Sequence, residues 1–199
     1  MPTHLPDLSL PRCGWVNLKN PHYINYHDAE WGVPLHDSLK LFELLCLEGA
    51  QAGLTWELIL NKRAVYREAF WGFDPSVLTL KTDTELLARM TEFGIVKNRL
   101  KTLALRKNAL AYIEISREHG SFTNFIWDFA LHGLAQNIWN TYRDAPTSSP
   151  QSEQMSKTLK KYGWSFAGPT ICYAYMQSAG LVADHEKGCF CVSTTALSK

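Results

Sequence analysis

Long apolar runs, a charge excess of either sign and a paired set of cysteines are all missing from this sequence. No stretch is both long and apolar enough to cross a bilayer. The N-terminus has neither the basic nor the apolar part of a signal peptide. The five cysteines are an odd number, which argues against a disulfide framework. We therefore expect an intracellular, cytoplasmic protein with reduced thiols and no membrane association.

The charge pattern leaves the partner open. A formal net charge of only +1 does not by itself indicate a nucleic-acid partner. Basic residues nevertheless concentrate in two stretches without acids, residues 97–107 and 157–161. Such runs are usually solvated helix faces. If both lie on one surface, however, they can hold a phosphate backbone.

The apolar spacing is helical almost throughout, with neither strand-like alternation nor an internal repeat, and this predicts an all-α fold. Residues that favour helix N-caps then predict where the helices begin. These are Asp37 or Ser38, Thr55, Asp74, Thr82 or Asp83, Ser121 and Ser152.

One long amphipathic helix is predicted after the helix that begins at Thr82 or Asp83, and it carries the first basic stretch away from its apolar stripe. Its apolar stripe is expected to carry Leu100, Leu103, Leu110 and Ile113. At the level of domains, we expect residues 1–11 to be a disordered extension and residues 12–199 to form one domain of two helical lobes. A helical hairpin is expected near residues 162–168, where glycines separate the last two helices.

Two cysteine–histidine pairs stand at opposite ends of the chain. Cys13 and His27 lie near the start, and His185 and Cys189 lie four residues apart near the end. Two thiolates and two imidazoles form a closed tetrahedral set, the structural type of zinc site. Spacing alone is weak evidence, because such pairs often arise by chance. Three rival ligands stay open: His22, His36 and Cys191.

The remaining cysteines and the aromatic residues have simpler explanations. Cys46 and Cys172 lie on apolar helix faces and are expected to be inert core thiols. Aromatic residues make up 12% of the chain, including seven tryptophans. Composition favours an aromatic-rich core, although an excess of tryptophan also suits stacking surfaces.

Ordered motifs along nearly the whole chain resemble the 3-methyladenine DNA glycosylase I family. The likeness runs from about Arg12 to Cys191, and the ordered set is far more specific than any one motif. The motifs are Cys13-Gly14-Trp15, Tyr26-His27-Asp28, Glu30-Trp31-Gly32-Val33-Pro34, Leu47-Glu48-Gly49, Gln51-Ala52-Gly53-Leu54-Thr55-Trp56, Thr170-Ile171-Cys172-Tyr173, Met176-Gln177 and Asp184-His185 with Cys189.

The resemblance implies a monofunctional DNA glycosylase with the helix-hairpin-helix fold. Such an enzyme flips the damaged nucleotide out of double-stranded DNA and hydrolyses its N-glycosidic bond, the first step of base excision repair. The resemblance also implies one structural Zn²⁺ that joins the two ends of the chain. Its ligands are then Cys13, His27, His185 and Cys189.

Glu48 is the predicted residue that reads the base. It follows an apolar helical run, so it can face a core-lined pocket, and a carboxylate there would favour a positively charged methylated adenine. An exposed glutamate at a helix end is the plainer interpretation. The resemblance adds Tyr26, Trp31 and Trp56 as pocket aromatics, with Trp15 on the pocket wall, whereas each ring alone would suit a core.

Two glycine-containing segments are predicted to contact DNA. In the first, Gly53 precedes Leu54, which could fill the gap left in the base stack, although a connector with a core leucine is the plainer interpretation. The second is the hairpin, where glycines and a helix N-terminus can approach a phosphate. Its predicted contacts are Lys161, Gly163, Gly168 and Thr170.

Two departures from the wider superfamily shape the expected chemistry. Thr170 stands where members that also nick the backbone carry lysine, which argues against a Schiff-base step. Ala183 stands where most members carry an aspartate, with Asp184 one residue later. Asp184 is then either a partner of a zinc ligand or, if the alignment shifts by one, a catalytic candidate.

Two other functions stay open on the sequence alone. One is a non-catalytic, zinc-stabilised DNA-binding module that senses damage. The other is a metal-dependent hydrolase, which fits less well because two cysteines and two histidines leave the metal no open position. The small size and the DNA substrate indicate a monomer without an obligate protein partner.

Overall fold

The computed structural model describes residues 6–130 and 135–192. Helices dominate these ranges, which confirms the all-α class, and none of them is long and apolar enough to cross a membrane. The helices are α1 (Pro21–Ala29), α2 (Ser38–Gln51), α3 (Trp56–Ala69), α4 (Pro75–Leu78), α5 (Asp83–Glu92), α6 (Arg99–His119), α7 (Phe122–Trp127), α8 (Pro150–Lys161) and α9 (Pro169–Ser178).

The remaining regular structure is short. Single 3₁₀ turns occupy Trp71–Phe73, Asp128–Ala130 and Tyr142–Asp144. Two strands of two residues each, β1 (Ala135–Gln136) and β2 (Val182–Ala183), pair in parallel. This pairing fixes the segment before α8 alongside the segment that follows α9.

Most predicted helix starts are confirmed, because a side chain at each accepts a hydrogen bond from the first turn. The confirmed caps are Asp37, Thr55, Asp74, Thr82 and Ser121. The predicted start at Ser152 is wrong by one turn. Ser149 caps α8, Pro150 occupies its first position, and Ser149 and Ser152 bond reciprocally as a capping box.

The prediction that the apolar stripe of α6 is its buried face is also wrong. Leu100, Leu110 and Ile113 are 71%, 54% and 44% exposed, and only Leu103 of the four packs against the core. The buried face instead carries smaller and partly polar residues, Thr102, Ala104, Leu105, Asn108, Ala109, Ala111 and Ile115. Small side chains let α2, α4, α5 and α7 approach α6 closely, and this tertiary contact overrides the hydrophobic pattern.

Two apolar clusters hold the molecule together. The larger is built from α2, α3, α6, α7, α8 and α9. The smaller joins the N-terminal segment, α1 and the C-terminal segment around Cys13, Ile24, Trp31 and Cys189. The turn at 162–168 folds α9 back onto α8, and the buried Ser156 hydroxyl donates to the Ala167 carbonyl across it.

The predicted division into an extension and one domain stays a prediction. Residues 1–5 of the extension and residues 193–199 of the domain lie outside the described part of the chain. Within the extension, the Pro11 carbonyl accepts a hydrogen bond from the Phe190 amide at 2.9 Å. The last residue of the predicted extension is thus attached to the C-terminal segment.

Gly180 ends α9 at the point where the chain meets the segment before α2. Its φ is +73°, and a Cβ built on it would lie 2.4 Å from the Val33 carbonyl carbon and 2.5 Å from the Pro34 nitrogen. Both are backbone atoms that cannot move aside without displacing the chain. Only glycine fits here, for reasons of conformation and of space.

We expect Gly180→Ala to lower the free energy of unfolding by roughly 2 kcal/mol or more, because left-handed strain and a backbone clash add together. Urea denaturation monitored by tryptophan fluorescence measures this change. Gly168→Ala is the matched control, since Gly168 has a negative φ and nothing within 4 Å of a built Cβ. Equal denaturation midpoints for the two variants would contradict this account of Gly180.

Candidate active site and metal-ligand cluster

A buried carboxylate lies at the centre of the candidate site. Glu48 is on α2 and only 3% exposed. Its Oε1 accepts a 2.6 Å hydrogen bond from the Ser178 hydroxyl at the end of α9. The Ser178 oxygen in turn accepts a 2.9 Å hydrogen bond from the Tyr26 hydroxyl on α1. Three helices therefore meet through one chain of hydrogen bonds.

Burial changes the acidity of Glu48. Desolvation raises its pKa from 4.5 to about 7, although the hydrogen bond from Ser178 acts in the opposite direction. Near neutral pH the group is thus poised between its neutral and charged forms. A cation placed beside it would favour the carboxylate.

Aromatic rings surround this carboxylate in a cavity of about 210 Å³. Trp15 and Trp31 meet edge to face at 5.1 Å, Tyr23 stacks on Tyr26 at 6.4 Å, and Tyr26 lies 5.4 Å from Trp56. The full lining is Trp15, Tyr23, Tyr26, Trp31, Glu48, Gln51, Trp56, Tyr142, Ala145, Ala174, Gln177, Ser178 and Asp184. Such a cavity suits a flat, electron-poor ring.

All five residues predicted for base reading line this one cavity: Trp15, Tyr26, Trp31, Glu48 and Trp56. The indole Nε1 of Trp56 is buried and has no hydrogen-bond partner within the described ranges. A buried donor without a partner is costly in a folded protein. This one lies in a residue of the cavity wall, where a ligand could supply an acceptor.

Sequence reasoning missed several residues of the cavity wall. Tyr23 could have been found, because it precedes Tyr26 by one helical turn and shares its face. Ser178 directly follows a matched motif but has no signal of its own. Tyr142 and Ala145 lie in the polar stretch before α8, where nothing in the sequence points to a site.

The turn predicted to plug the base stack is held against the cavity. Gln51 lines the cavity, and its Nε2 donates to the Leu54 carbonyl at 3.0 Å. Gly53 between them has a φ of +78°. Leu54 itself is half-buried and packs against the main core.

The hairpin residues predicted to contact DNA lie outside the cavity. Lys161, Gly163 and Thr170 are exposed. Gly168 is the N-cap of α9 and supplies no side chain to bond the first-turn amides. Within the described residues, the first-turn amides of that helix therefore have no side-chain cap, and such amides can bind an anion.

Asp184 is a member of the cavity wall rather than a partner of the metal-ligating residues. It is 2% exposed, and its carboxylate accepts hydrogen bonds at 2.7 Å from Asn137 Nδ2, the Tyr173 hydroxyl and Gln177 Nε2. Asp28 instead occupies the position beside a predicted ligand. Its Oδ1 lies 2.8 Å from His27 Nδ1, and Arg12 pairs with the same carboxylate.

The four predicted metal ligands form a buried cluster that joins the two ends of the chain. Cys13, His27, His185 and Cys189 have ligand atoms that all lie within 4.8 Å of one another. The Cys189 sulfur lies 3.4 Å from His27 Nε2 and 3.5 Å from His185 Nδ1, and the Cys13 sulfur lies 3.6 Å from the same His185 nitrogen. This Cys₂His₂ cluster can bind a metal ion.

The spacing fits a tetrahedral zinc site. Bond lengths of about 2.3 Å to sulfur and 2.0–2.1 Å to nitrogen place tetrahedral S and N ligands about 3.5 Å apart. The thiol of Cys13 and then that of Cys191 hydrogen-bond to the Cys189 sulfur, which lowers the pKa of Cys189. The same hydrogen bond raises the pKa of the Cys13 thiol.

Of the three rival ligands, only Cys191 lies next to this set, where its thiol hydrogen-bonds to Cys189. His22 and His36 are exposed and do not join the cluster. Cys191 groups with His27 and Asp28 instead. Cys46 and Cys172 are buried in the main core, as expected from their helix faces.

Comparison with known proteins matches nearly the whole chain. A family model described as methyladenine glycosylase matches residues 15–192. DNA-3-methyladenine glycosylase 1 of Escherichia coli K12 is 44% identical over 182 residues, which is 92% of this chain and 97% of that protein.

Solved structures match as well. A crystal structure of 3-methyladenine DNA glycosylase I is 44% identical, with a TM-score of 0.87 over 91% of this chain and 99% of the other. A tyrosine-to-phenylalanine variant of such a glycosylase, solved in complex with 3-methyladenine, is 38% identical, with a TM-score of 0.83 over 86% of this chain and 92% of the other.

The raised pKa of Glu48 predicts a specific pH dependence of stability. The folded pKa of about 7 exceeds the ordinary 4.5, so the folded state keeps a proton that the unfolded state releases between these values. Stability is therefore lost as the pH rises through that window, by up to about 3 kcal/mol. Glu48→Gln cannot titrate and should lack this loss.

Urea denaturation of both proteins at several values of pH from about 4.5 to above 7 measures the difference. Other titrating groups are shared by the two proteins and cancel. Parallel stability curves across that range would show that burial does not perturb Glu48.

Proposed function

Since the chain belongs to the methyladenine glycosylase family and excises 3-methyladenine from DNA in base excision repair, we propose that the reaction takes place in the cavity around Glu48. The observation that carries this assignment is a carboxylate desolvated beneath a ring of aromatic side chains. A relative of the same fold is known in complex with 3-methyladenine. The substrate is double-stranded DNA, and the base reaches the cavity when its nucleotide flips out.

Charge recognition is the core of the proposed mechanism. Methylation at N3 gives adenine a positive charge and weakens its bond to the sugar. Glu48 would accept hydrogen bonds from the exocyclic amine and stabilise the charge, and a cation beside it would shift the group toward its ionised form. Unmodified adenine offers no such charge, so the buried carboxylate discriminates against it.

The rings supply the second part of recognition. Tyr26, Trp31 and Trp56, with Trp15 on the wall, would hold the base between π faces that attract a cation. The unpartnered Nε1 of Trp56 could donate to a ring nitrogen of the base. Binding of this kind accelerates the reaction only if it holds the departing base more tightly than the bound nucleotide.

The Tyr26–Ser178–Glu48 chain keeps the carboxylate in place. Ser178 donates to Glu48 and leaves the second carboxylate oxygen for the base. Because both donors are hydroxyls on different helices, the carboxylate is oriented before the base arrives. Such preorganisation avoids reorganisation during bond cleavage.

Water completes the proposed reaction without a dedicated base. Asp184 already accepts three hydrogen bonds, so we assign it to positioning the cavity wall through Gln177 and Tyr173. Thr170 cannot form a Schiff base, which argues against a lyase step and favours hydrolysis. As the N-glycosidic bond breaks, its electron pair leaves with the methylated base, which becomes neutral. Water adds to the sugar cation that forms, and its extra proton passes to solvent.

Contacts with the DNA are assigned to the two glycine-containing segments. Leu54, next to Gly53, would fill the space left by the flipped base, since its turn is joined to the cavity wall through Gln51. At the hairpin, Gly168 and Thr170 belong to the start of α9, and Lys161 and Gly163 lie at and just after the end of α8. They would hold one phosphate of the backbone.

The Cys₂His₂ cluster is assigned to one structural Zn²⁺. Four protein ligands fill a tetrahedron, so the ion has no open position for substrate and a metal-dependent hydrolase is disfavoured. When bound, the ion cross-links residue 13 to residue 189 and so closes a very long loop. Asp28 orients His27 for this role. We assign residues 12–199 to one domain that acts as a monomer.

The assignment predicts release of free 3-methyladenine from methylated DNA by the purified protein. Glu48→Gln should slow this release by about 10²-fold or more, because it removes the charge on which recognition depends. Single-turnover release with several methylated bases in competition measures the rate. Glu68→Gln, an exposed glutamate of α3, is the matched control.

Absence of release by the metal-loaded wild-type protein would support the non-catalytic damage-binding module instead. Normal release by Glu48→Gln would leave the reaction in place but remove Glu48 from it. These two outcomes are distinguishable in a single assay.

The metal assignment predicts one zinc ion per chain. Cys13→Ser, His27→Ala and Cys189→Ser should each lose the ion and several kcal/mol of stability, because metal binding is coupled to folding. Elemental analysis and thermal unfolding with and without a chelator measure both effects. His22→Ala, which changes an exposed histidine outside the cluster, should keep both. Full zinc content in all three cluster variants would refute this ligand set.

A further inference from the structure

One wall of the cavity has no role in the proposed mechanism. Tyr142 and Ala145 line the cavity together with the rings of the N-terminal segment. They lie between β1 and α8, where Tyr142 begins the 3₁₀ turn Tyr142–Asp144 and Ala145 follows it. Tyr142 is 40% exposed, so its ring forms part of the open mouth rather than of the core.

Glu186 fixes Tyr142 in this position. Its Oε1 accepts a 2.6 Å hydrogen bond from the Tyr142 amide, and its Oε2 accepts a 2.9 Å bond from the Gly14 amide. A Cβ built on Gly14 would lie 3.7 Å from Cδ1 of the Tyr142 ring. The ring therefore packs over the backbone beside Trp15.

The rest of the segment is attached along its length. The Asn137 amide donates to the Ala183 carbonyl at 3.0 Å, and its side chain donates to Asp184 at 2.7 Å. Trp139 pairs with Glu186 in a parallel bridge, and its carbonyl accepts from the Lys187 amide at 2.8 Å. Hydrogen bonds with residues 183–187 thus hold the segment 137–142, and with it Tyr142, in place.

The hydrogen bonds of Glu186 also connect this segment to the metal-ligand cluster. Glu186 follows His185, and Gly14 follows Cys13, so the Glu186 carboxylate spans the neighbours of two ligands. The Glu186 amide donates to the Cys13 sulfur at 3.4 Å. The mouth of the cavity and the joined ends of the chain consequently form one structural unit.

We propose that Tyr142 is a base-contacting residue that covers the flipped, positively charged base at the mouth, and that Glu186 is the positioning residue that holds it there. This inference rests on the proposed function of the cavity. The ring would add an attractive π face for the cation and exclude water from the breaking bond. Its partial exposure before binding lets the base enter.

The position of Arg143 next to Tyr142 supports the proposal that the flipped nucleotide enters at this mouth of the cavity. Its guanidinium carbon lies 5.5 Å from the centroid of the Tyr142 ring, and its Nε lies 3.3 Å from the Tyr142 hydroxyl. When a nucleotide flips, its phosphates stay attached to the strand and therefore pass the mouth of the cavity. An exposed cation there is complementary to them.

The test compares Tyr142→Ala, Tyr142→Phe and Glu186→Gln with Ile138→Ala, a control in the same segment whose side chain is 64% exposed and does not line the cavity. Tyr142→Ala should lower the single-turnover rate of 3-methyladenine release about tenfold. Tyr142→Phe should recover most of that loss, because it keeps the ring. Ile138→Ala should match the wild type.

A double-mutant cycle identifies the positioning role. Glu186→Gln should slow release in the wild-type background and have little further effect when Tyr142 is already alanine. A titration of each protein with free 3-methyladenine, followed by intrinsic fluorescence, should show the same order of affinities. Zinc content is measured in every variant.

Wild-type activity in Tyr142→Ala would overturn the inference and leave the proposed function intact. Failure of the wild-type protein itself to release 3-methyladenine would instead reject the proposed function. Additive effects of Glu186→Gln and Tyr142→Ala, or loss of zinc in Glu186→Gln, would overturn the assignment of Glu186 as the positioning residue for Tyr142.

Discussion

The rest of the structure depends on the desolvated carboxylate of Glu48. A carboxylate that accepts a hydrogen bond from Ser178 and is buried among rings is expensive to charge. A cationic base offsets that cost, whereas a neutral base cannot. In the mechanism that we propose, the free energy that burial of this group costs is recovered only when a cationic base is bound, and selectivity follows from this difference.

Geometry for this group comes from parts of the chain that are remote in sequence. Glu48 lies on α2, Ser178 ends α9, and Tyr26 lies on α1, so no local element positions the carboxylate. The Cys₂His₂ cluster holds the N-terminal segment and α1 against the C-terminal segment. Gly180 permits the backbones to approach where α9 ends. Recognition therefore depends on joining the two ends of the chain as much as on the pocket itself.

Sequence rules predicted most helix starts correctly, because capping is a local interaction. They failed for the buried face of α6, because packing between helices determines which side is covered. Asp37 and Thr55 cap their helices because a cap is satisfied within one turn. The stripe through Leu100 and Ile113 is exposed because neighbouring helices cover the side of α6 that carries small residues. The predicted start at Ser152 is one turn late because proline is favoured at a first helical position, and Pro150 occupies that position in α8.

By itself the sequence determined the helical class, most helix starts and the family through its ordered motifs, and through that family it predicted a set of metal ligands and pocket rings. Only the tertiary structure decided that Asp184 lines the cavity while Asp28 serves His27. It also decided that Tyr142, in an unremarkable polar stretch, reaches the mouth through Glu186. The physical reason is range: capping and periodicity act over one or two turns, whereas these contacts join segments that only the folded backbone brings together.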